Sequence, residues 1–141
     1  MPAMGHSGAA RAGMENLTRT MSWEWGQYGV RTNAVAPGWV ASSGFDTYDE
    51  QFQETIAGMR YKVPLKRLAT EAEVSSTICF LLSEGAAFVN GATLRVDGGS
   101  AAGSAAAVWP LPESDASNST SYDGFHRAVL PNCLKANEGE D

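Results

Sequence analysis

The stretch RTNAVAPGWV, Arg31 to Val40, decides the fold because it combines a short strand with a sharp break. Val30–Ala36 carries small and β-branched residues, a composition typical of a buried strand. Pro37 has no N–H to continue a ladder and Gly38 frees the backbone to turn, so the strand is predicted to end there. Ligands of open α/β sheets bind at the carboxyl ends of strands, so the sequence after Pro37 is a candidate site.

Helical patterns surround this strand. Residues 6–26 place apolar side chains on one face of a helix, and Gly26 and Gly29 are expected to mark its end. The apolar residues of that face are Met14, Leu17, Met21 and Trp25. After the strand, a second helix is predicted from Asp49 to Met59, and a loop follows through residues 63–65.

A third helix is predicted to begin with a capping box. In Thr70-Glu71-Ala72-Glu73, the Thr70 hydroxyl and the Glu73 carboxylate can satisfy free backbone amides at a helix start. The apolar residues assigned to its inner face are Val74, Ile78, Leu81 and Leu82, and Gly85 is expected to end it. A second strand is then predicted from Thr93 to Val96.

Helix and strand alternate without a hairpin signal, which favours a parallel α/β fold. Two strands alone make a marginal sheet, because a parallel pair needs both of its faces covered. The first strand would also offer an unpaired edge where a larger sheet continues. We therefore expect further strands upstream of this sequence.

Composition excludes several classes of function. The net charge of −6 and a pI near 4.8 argue against a nucleic-acid-binding surface. No apolar run approaches the roughly 20 residues that span a bilayer, and the N-terminus lacks the pattern of a secretory signal. Cys79 and Cys133 have no metal-ligand spacing, so we expect two reduced thiols, no metal site and a cytoplasmic protein.

Three motifs in order carry a family resemblance: His6-Ser7-Gly8-Ala9-Ala10-Arg11-Ala12-Gly13, then RTNAVAPGWV, then Val96-Asp97-Gly98-Gly99. Together they resemble the C-terminal half of a short-chain dehydrogenase/reductase. The resemblance implies the C-terminal part of a Rossmann-type doubly wound parallel sheet, with two parallel strands and flanking helices. It also implies NADP or NAD as cofactor and a homo-oligomer for the intact protein.

The resemblance covers residues 1–100. Residues 101–141 are an Ala/Ser/Pro-rich acidic tail that we expect to be partly disordered, although an apolar docking segment is possible near its end. The residues of that segment are Tyr122, Phe125, Val129, Leu130 and Leu134. No Gly-x-x-x-Gly-x-Gly loop follows a strand in this sequence, so the half that binds the cofactor phosphates is expected to be absent.

Members of this family usually carry a catalytic Tyr and a Lys four residues apart, and alignment places Ser7 and Arg11 at those positions. This departure resembles the trans-2-enoyl-CoA and 2,4-dienoyl-CoA reductase branch of fatty-acid metabolism. The resemblance then implies that Ser7 hydrogen-bonds the substrate carbonyl region and that Arg11 holds the cofactor ribose as a fixed cation. The alternative is that Ser7 is a small residue near a helix start and Arg11 a solvated charge.

The resemblance also assigns the cofactor loop and the substrate lid. The expected nicotinamide contacts are Pro37, Gly38, Val40, Ser42 and Ser43. The lid spans residues 43–62, and its apolar residues Phe45, Tyr48, Phe52 and Met59 would line a channel for an acyl or isoprenoid chain or, alternatively, pack the lid on the body. Lys62, Lys66 and Arg67 would either meet the phosphates of a CoA thioester or form a solvated basic turn.

The resulting hypothesis is an NAD(P)H-dependent oxidoreductase, enoyl-CoA or dienoyl-CoA reductase-like, that is inactive as this chain alone. An alcohol or terpenoid-alcohol dehydrogenase of the same family is the first alternative. A non-catalytic remnant that only associates with other subunits is the second, in which Trp23, Trp25 and Tyr28 would be interface residues. Asp97, Gly98 and Gly99 are assigned to folding and subunit packing, with both glycines at positive φ.

Overall fold

The computed structural model describes residues 5–100, 119–122, 124 and 131–135. The chain divides into two compact units. The first unit comprises the chain up to Ala36 together with Thr77–Arg95, and the second comprises Pro37–Ser76 together with the chain from Val96 onward.

The fold is α/β, with two parallel strands and flanking helices, as the sequence predicts. The regular elements are α1 (Gly5–Gly26), β1 (Ala34–Pro37), α2 (Glu50–Met59), α3 (Glu71–Leu82), β2 (Thr93–Val96) and α4 (Asn132–Lys135). Short 3₁₀ turns lie at Ser43–Thr47, Arg60–Lys62 and Glu84–Ala86.

Strands β1 and β2 pair in parallel register. The Ala34 amide donates to the Ala92 carbonyl at 2.9 Å, and the Gly38 amide donates to the Val96 carbonyl at 2.9 Å. Among the described residues β2 is the only neighbour of β1, and β1 is half-buried to exposed rather than fully buried. The expectation of a buried strand is therefore wrong for this chain, because one neighbouring strand cannot cover both edges and both faces.

Strand β1 also begins four residues later than predicted. The side-chain Nδ2 of Asn33 donates to the Val89 carbonyl at 2.8 Å, and its Oδ1 accepts from the Ala92 backbone amide at 3.0 Å. The Thr32 amide donates to the side chain of Asn90 at 2.8 Å. The side chains of Asn33 and Asn90 thus bond backbone groups that would otherwise pair between the strands. Regular strand pairing therefore starts only at Ala34.

The predicted helix over residues 6–26 is confirmed as α1, and Gly29 follows it with a φ of 76°. Its predicted apolar face is not buried: Met14, Leu17 and Trp25 are all exposed, whereas Thr18 is the buried residue. The spacing correctly identifies side chains that share a face. It carries no information on whether a partner element covers that face.

The capping box at the start of α3 is confirmed. The Thr70 amide donates to Glu73 Oε2 at 2.9 Å, and the Glu73 amide donates to the Thr70 hydroxyl at 3.2 Å. The predicted end is wrong, because α3 stops at Leu82 and Gly85 lies in the following 3₁₀ turn. Ser83 ends the helix by adopting an extended backbone, and its hydroxyl donates to the Phe80 carbonyl at 2.7 Å.

The inner face predicted for α3 is also only partly correct. Leu81 is buried, but Ile78 and Leu82 are exposed. Arg31 reaches the end of this helix and donates to the carbonyls of Leu81 at 2.6 Å and Val89 at 3.1 Å. A guanidinium therefore satisfies a carbonyl that the helix end leaves unpaired.

The core of the second unit lies beneath α2. Ala41, Ile56 and Leu68 form its buried centre, and Ile56 has no exposed surface. The half-buried side chains packed against this centre are Trp39, Phe45, Met59, Cys133 and Leu134. Helix α2 agrees with its predicted bounds, and Asp49 caps it by accepting a bond from the Phe52 amide at 2.8 Å.

Candidate functional site

The segment that follows β1 is held against the end of β2. Besides the hydrogen bond from the Gly38 amide to the Val96 carbonyl, Gly38 lies close to Asp97. A Cβ placed on Gly38 would lie 2.8 Å from the Cα of Asp97 and 2.9 Å from its Cβ. Such distances are too short for any side chain, so glycine is required by close approach of two backbones. The Pro-Gly break therefore fixes the position of the loop rather than loosening it.

A second contact holds the same segment three residues later. The Ala41 amide donates to the Ala69 carbonyl at 2.8 Å, and the Ala69 amide donates to the Trp39 carbonyl at 2.9 Å, which forms a parallel bridge between Val40 and Ala69. The cofactor loop predicted from the sequence is thus anchored along both sides. A loop with its own backbone bonds satisfied presents neighbouring groups to a ligand in a fixed geometry.

The side chains on this loop differ in exposure. Val40 and Ser42 are half-buried, whereas Pro37 and Ser43 are exposed. Ser42 precedes the 3₁₀ turn without capping it through its side chain, although its carbonyl accepts from the Phe45 amide at 3.1 Å. The loop therefore offers a half-buried hydroxyl at the position where the family resemblance expects a nicotinamide contact.

The closing turn after β2 supports the loop region from the other side. Gly98 and Gly99 have φ values of 59° and 88°, as predicted. A Cβ on Gly98 would lie 2.7 Å from Val63 Cγ1, and the Asp97 carboxylate accepts from the Gly99 amide at 2.9 Å. The turn thus packs within the second unit, which agrees with its assignment to folding.

Ser7 and Arg11 lie one turn apart near the start of α1, in the first unit. Residues four apart on a helix share a face, so the two side chains project to the same side. Ser7 is half-buried and Arg11 is exposed. The structure thus confirms their helical placement, while the predicted loop contacts belong to the second unit.

Three aromatic side chains lie in a row along the start of the predicted lid. The Tyr48 ring centroid lies 6.4 Å from that of Phe45 and 4.8 Å from that of Phe52. Phe45 and Met59 are half-buried against the core of the second unit, whereas Tyr48 and Phe52 are exposed. Two of the four predicted channel residues therefore pack the lid on the body, and two leave ring surface open.

Arg67 forms an ion pair that sequence analysis did not anticipate. Its guanidinium donates to both carboxylate oxygens of Glu73, at 2.7 and 2.8 Å, and to the Ser119 hydroxyl at 3.1 Å. Partial burial alone would raise the pKa of Glu73, but bonds from Arg67 and from the Thr70 and Tyr122 amides outweigh it and lower that pKa below its ordinary value. This network assigns Arg67 to the fold rather than to a CoA phosphate.

The other cations lie on the turn that ends the lid. The Arg60 guanidinium stacks over the Tyr61 ring at 4.7 Å and donates to its hydroxyl at 2.6 Å. Lys66 has a φ of 57° and its Nζ donates to the Tyr61 carbonyl at 3.2 Å. Tyr61 thus organises a basic turn at which Lys62 also lies.

No group of three or more His, Cys, Asp or Glu side chains that could hold a metal ion occurs in the described part of the chain. Cys79 is exposed and Cys133 half-buried, and both are free thiols. No helix among the described residues has the length and apolar character needed to cross a membrane.

Comparison with known proteins identifies the family. The family model described as enoyl-(acyl carrier protein) reductase matches residues 1–101. The chain belongs to the short-chain dehydrogenase/reductase family. The three motifs that carry the resemblance, and the loop after β1, all lie inside the matched region.

Several short-chain dehydrogenases/reductases are similar to this chain. A probable 2,4-dienoyl-CoA reductase from Bacillus subtilis is 43% identical over 95 residues, covering 67% of this chain and 37% of the relative. A 3-oxoacyl-(acyl-carrier-protein) reductase from Pseudomonas aeruginosa is 39% identical over 102 residues, covering 69% of this chain and 40% of the relative. The chain thus spans well under half the length of these relatives.

Solved structures agree with this assignment. A citronellol catabolism dehydrogenase from Pseudomonas aeruginosa is 58% identical, with a TM-score of 0.57 over 71% of this chain and 36% of that protein. An acetoin dehydrogenase from Salmonella typhimurium is 30% identical, with a TM-score of 0.59 over 72% of this chain and 37% of that protein. These matches support the C-terminal part of a Rossmann-type sheet as the fold of the matched part of this chain.

Proposed function

We propose that this chain supplies the substrate side of an NAD(P)-dependent reductase that acts on unsaturated acyl thioesters. The observation that carries the proposal is the pair Ser7 and Arg11, one turn apart on α1 at the positions where the family usually has Tyr and Lys. No phenol stands there to deprotonate an alcohol, which favours reduction of a conjugated C=C bond over oxidation of a hydroxyl.

The chemistry of the residues assigned to the cofactor, taken within each unit, supports this proposal. The loop from Pro37 to Ser43 is fixed by backbone bonds and carries a half-buried hydroxyl on Ser42. Arg11 is a permanent cation able to donate to ribose hydroxyls. When bound, the nicotinamide supplies the hydride, and the protein's own residues position the groups that receive it.

Ser7 has the simplest chemical role in this proposal. Its hydroxyl would donate to the thioester carbonyl oxygen, on which negative charge develops while the conjugated C=C bond is reduced. The proton that completes the reduction at the α carbon would come from water. A hydrogen-bond donor aimed at a developing oxyanion stabilises the transition state more than the ground state, and it thereby lowers the barrier. The exposed rings of Tyr48 and Phe52 support their assignment as the lid residues that contact the acyl chain.

The proposed reductase also needs a site for the cofactor phosphates, and this sequence lacks the motif for one. It contains no Gly-x-x-x-Gly-x-Gly loop after a strand, and a pyrophosphate needs such amides at a helix N-terminus. We predict that the purified 141-residue chain shows no saturable NADPH binding by titration calorimetry. A well-defined isotherm with one site per chain would contradict this prediction.

A chimera tests the function directly. Residues 1–101 replace the matching region of the Pseudomonas citronellol catabolism dehydrogenase, whose unmatched part supplies the remaining sheet. We expect NADPH oxidation with a short 2,4-dienoyl-CoA or enoyl-CoA, and a loss of about 10²-fold or more in kcat for Ser7→Ala, the size typical of an oxyanion donor. Ser7→Thr, which keeps a hydroxyl, is the matched control.

An isoprenoid-alcohol dehydrogenase is the second candidate. The 58% identity to the citronellol catabolism dehydrogenase favours it, because that identity exceeds those quoted for the acyl thioester reductases. The same chimera distinguishes the two activities. NAD(P)-dependent oxidation of citronellol without turnover of any acyl thioester would replace the first proposal by the second.

A non-catalytic role is the third candidate, and it concerns the chain as it stands. In the first unit Phe88 is fully exposed and Trp23 is 87% exposed, which favours association with another protein surface. The intact mass of the native protein decides which form exists in the cell. A mass of 14.9 kDa would favour association without turnover, and a larger one would favour a complete cytoplasmic reductase, which we propose as a homo-oligomer.

A further inference from the structure

The C-terminal helix contacts the segment assigned as the substrate lid. The Asn132 amide, at the start of α4, donates to the Asp46 carboxylate at 2.7 Å. Pro131 has less than 2% of its surface exposed, and its carbonyl accepts from the Leu134 amide at 3.0 Å. The chain therefore meets the 3₁₀ turn of the lid through a buried residue and a charge-assisted hydrogen bond.

The same helix completes the apolar core beneath the lid. Cys133 and Leu134 pack against the cluster of Ala41, Ile56 and Leu68. Phe45 and Met59, from the two ends of the lid, pack against that cluster as well. The lid and α4 thus share one core, so removal of α4 would uncover side chains that hold the lid down.

A second anchor lies on the capping box of α3. The Ser119 hydroxyl and the Thr120 carbonyl accept bonds from Arg67, at 3.1 and 3.2 Å. The Tyr122 amide donates to Glu73 Oε1 at 3.2 Å, and its carbonyl accepts from the Thr70 hydroxyl. Residues 119–122 are therefore bound through a partly buried ion-pair network.

We propose that residues 119–122 and 131–135 form a strap that holds the lid, residues 43–62, against the body of the second unit. Both anchors lie beyond residue 101, where the match to the family model ends. The description of residues 43–62 as a substrate lid rests on the proposed function, whereas the contacts themselves do not. In an active reductase the strap would restrict opening of the lid and so limit the size of acyl group admitted.

Hydrogen exchange on the full chain tests the strap without cofactor or substrate. Two truncations are compared with it, one ending at Lys135 and one ending at Leu130, which differ only by residues 131–135. We expect amides of α2 to exchange at least about tenfold faster in the shorter chain and at an unchanged rate in the longer one. Equal α2 exchange in all three chains would overturn the proposal.

Point variants keep the test decisive if the shorter chain unfolds. Asp46→Ala removes the acceptor of the Asn132 amide, whereas Asp46→Asn keeps an oxygen at that position. Faster exchange of α2 in Asp46→Ala than in Asp46→Asn, with α1 unchanged, supports the strap, and identical exchange in the two variants overturns it. An inactive chimera would count against the proposed reductase while leaving this result intact.

Discussion

Single residues set the position of the loop after β1. Gly38 approaches Asp97 so closely that a methyl group would contact backbone at 2.8 Å, and backbone cannot move aside as a flexible side chain can. Polar side chains elsewhere in the chain set positions through hydrogen bonds. Arg31 and Asn33 bind backbone carbonyls far along the chain, and Arg67 binds the Glu73 carboxylate six residues away. These bonds lie where strands and helices begin or end.

Two glycines make a matched test of this steric requirement. Gly38→Ala is expected to lower the free energy of unfolding by about 1–3 kcal/mol, the usual cost of overpacking. Gly58→Ala, in α2 with nothing within 4 Å of the added methyl, is expected to raise it by roughly 0.5–1 kcal/mol. Urea unfolding of both variants checks this, and equal effects of the two substitutions would contradict it.

The Glu73 carboxylate makes stability depend on pH. Its pKa is lowered in the folded chain, so its contribution is present above the pKa of the unfolded chain and is lost as pH falls through the folded value. We expect Glu73→Gln to cost about 1–3 kcal/mol at pH 7, because Arg67 loses its charged partner, and to flatten the fall in stability below about pH 4.5. Urea midpoints measured from pH 7 down to pH 3 test this.

Glu71 provides the control for that series. It lies on the same turn of α3, is exposed, and takes no part in the Arg67 network. Glu71→Gln is expected to change the free energy of unfolding by no more than about 0.5 kcal/mol, as is usual for a surface substitution. If the Glu71 and Glu73 variants gave the same pH profile, the ion pair would not be the cause.

At the scale of elements, local signals predicted the starts of helices better than their ends. The capping box at Thr70 and the cap at Asp49 are both confirmed, because each involves bonds within three residues of the chain. The predicted end of α3 and the predicted start of β1 were wrong. Ser83 bonds the Phe80 carbonyl at the end of α3, a local bond that the sequence pattern did not single out, and Asn33 bonds a residue 56 positions away at the start of β1. Hydrogen bonds between neighbouring residues can be predicted from sequence. Which of several possible bonds forms cannot.

The cap of α2 provides a test at this scale. Asp49→Ala is expected to destabilise the chain by about 1 kcal/mol, because the Phe52 amide loses its acceptor. Asp49→Ser keeps a capping oxygen and should cost only a fraction of that amount. Thermal unfolding followed by circular dichroism compares the two variants, and an Asp49→Ala chain as stable as the Asp49→Ser chain would show that the cap contributes nothing.

The whole molecule is marked by large apolar side chains left in contact with water. Within the first unit these include Trp23, Leu82 and Phe88, and Leu82 is 78% exposed. A surface that leaves such side chains exposed is unusual for a free-standing soluble domain. It is the arrangement expected where further protein normally packs, whether more of the same sheet or another subunit.

Association of the purified chain tests this interpretation. We expect its sedimentation coefficient to rise with concentration, and a variant carrying Trp23→Ser and Phe88→Ser to sediment as a monomer over a wider range. Serine replacements of Thr20 and Ala87, also exposed in the same unit, are the control. A monomer at all concentrations for the unmodified chain would show that these side chains tolerate water on their own.

The sequence by itself determined the family, the parallel α/β class, the helix starts and the Pro-Gly break, because each depends on residues adjacent in the chain. Only the tertiary structure decided that Arg67 binds Glu73, that the α1 face stays open and that Cys133 and Leu134 pack on the core of the second unit. Those outcomes depend on which distant surfaces meet. Periodicity and composition specify what a surface is like, but contact between surfaces is decided by packing and burial.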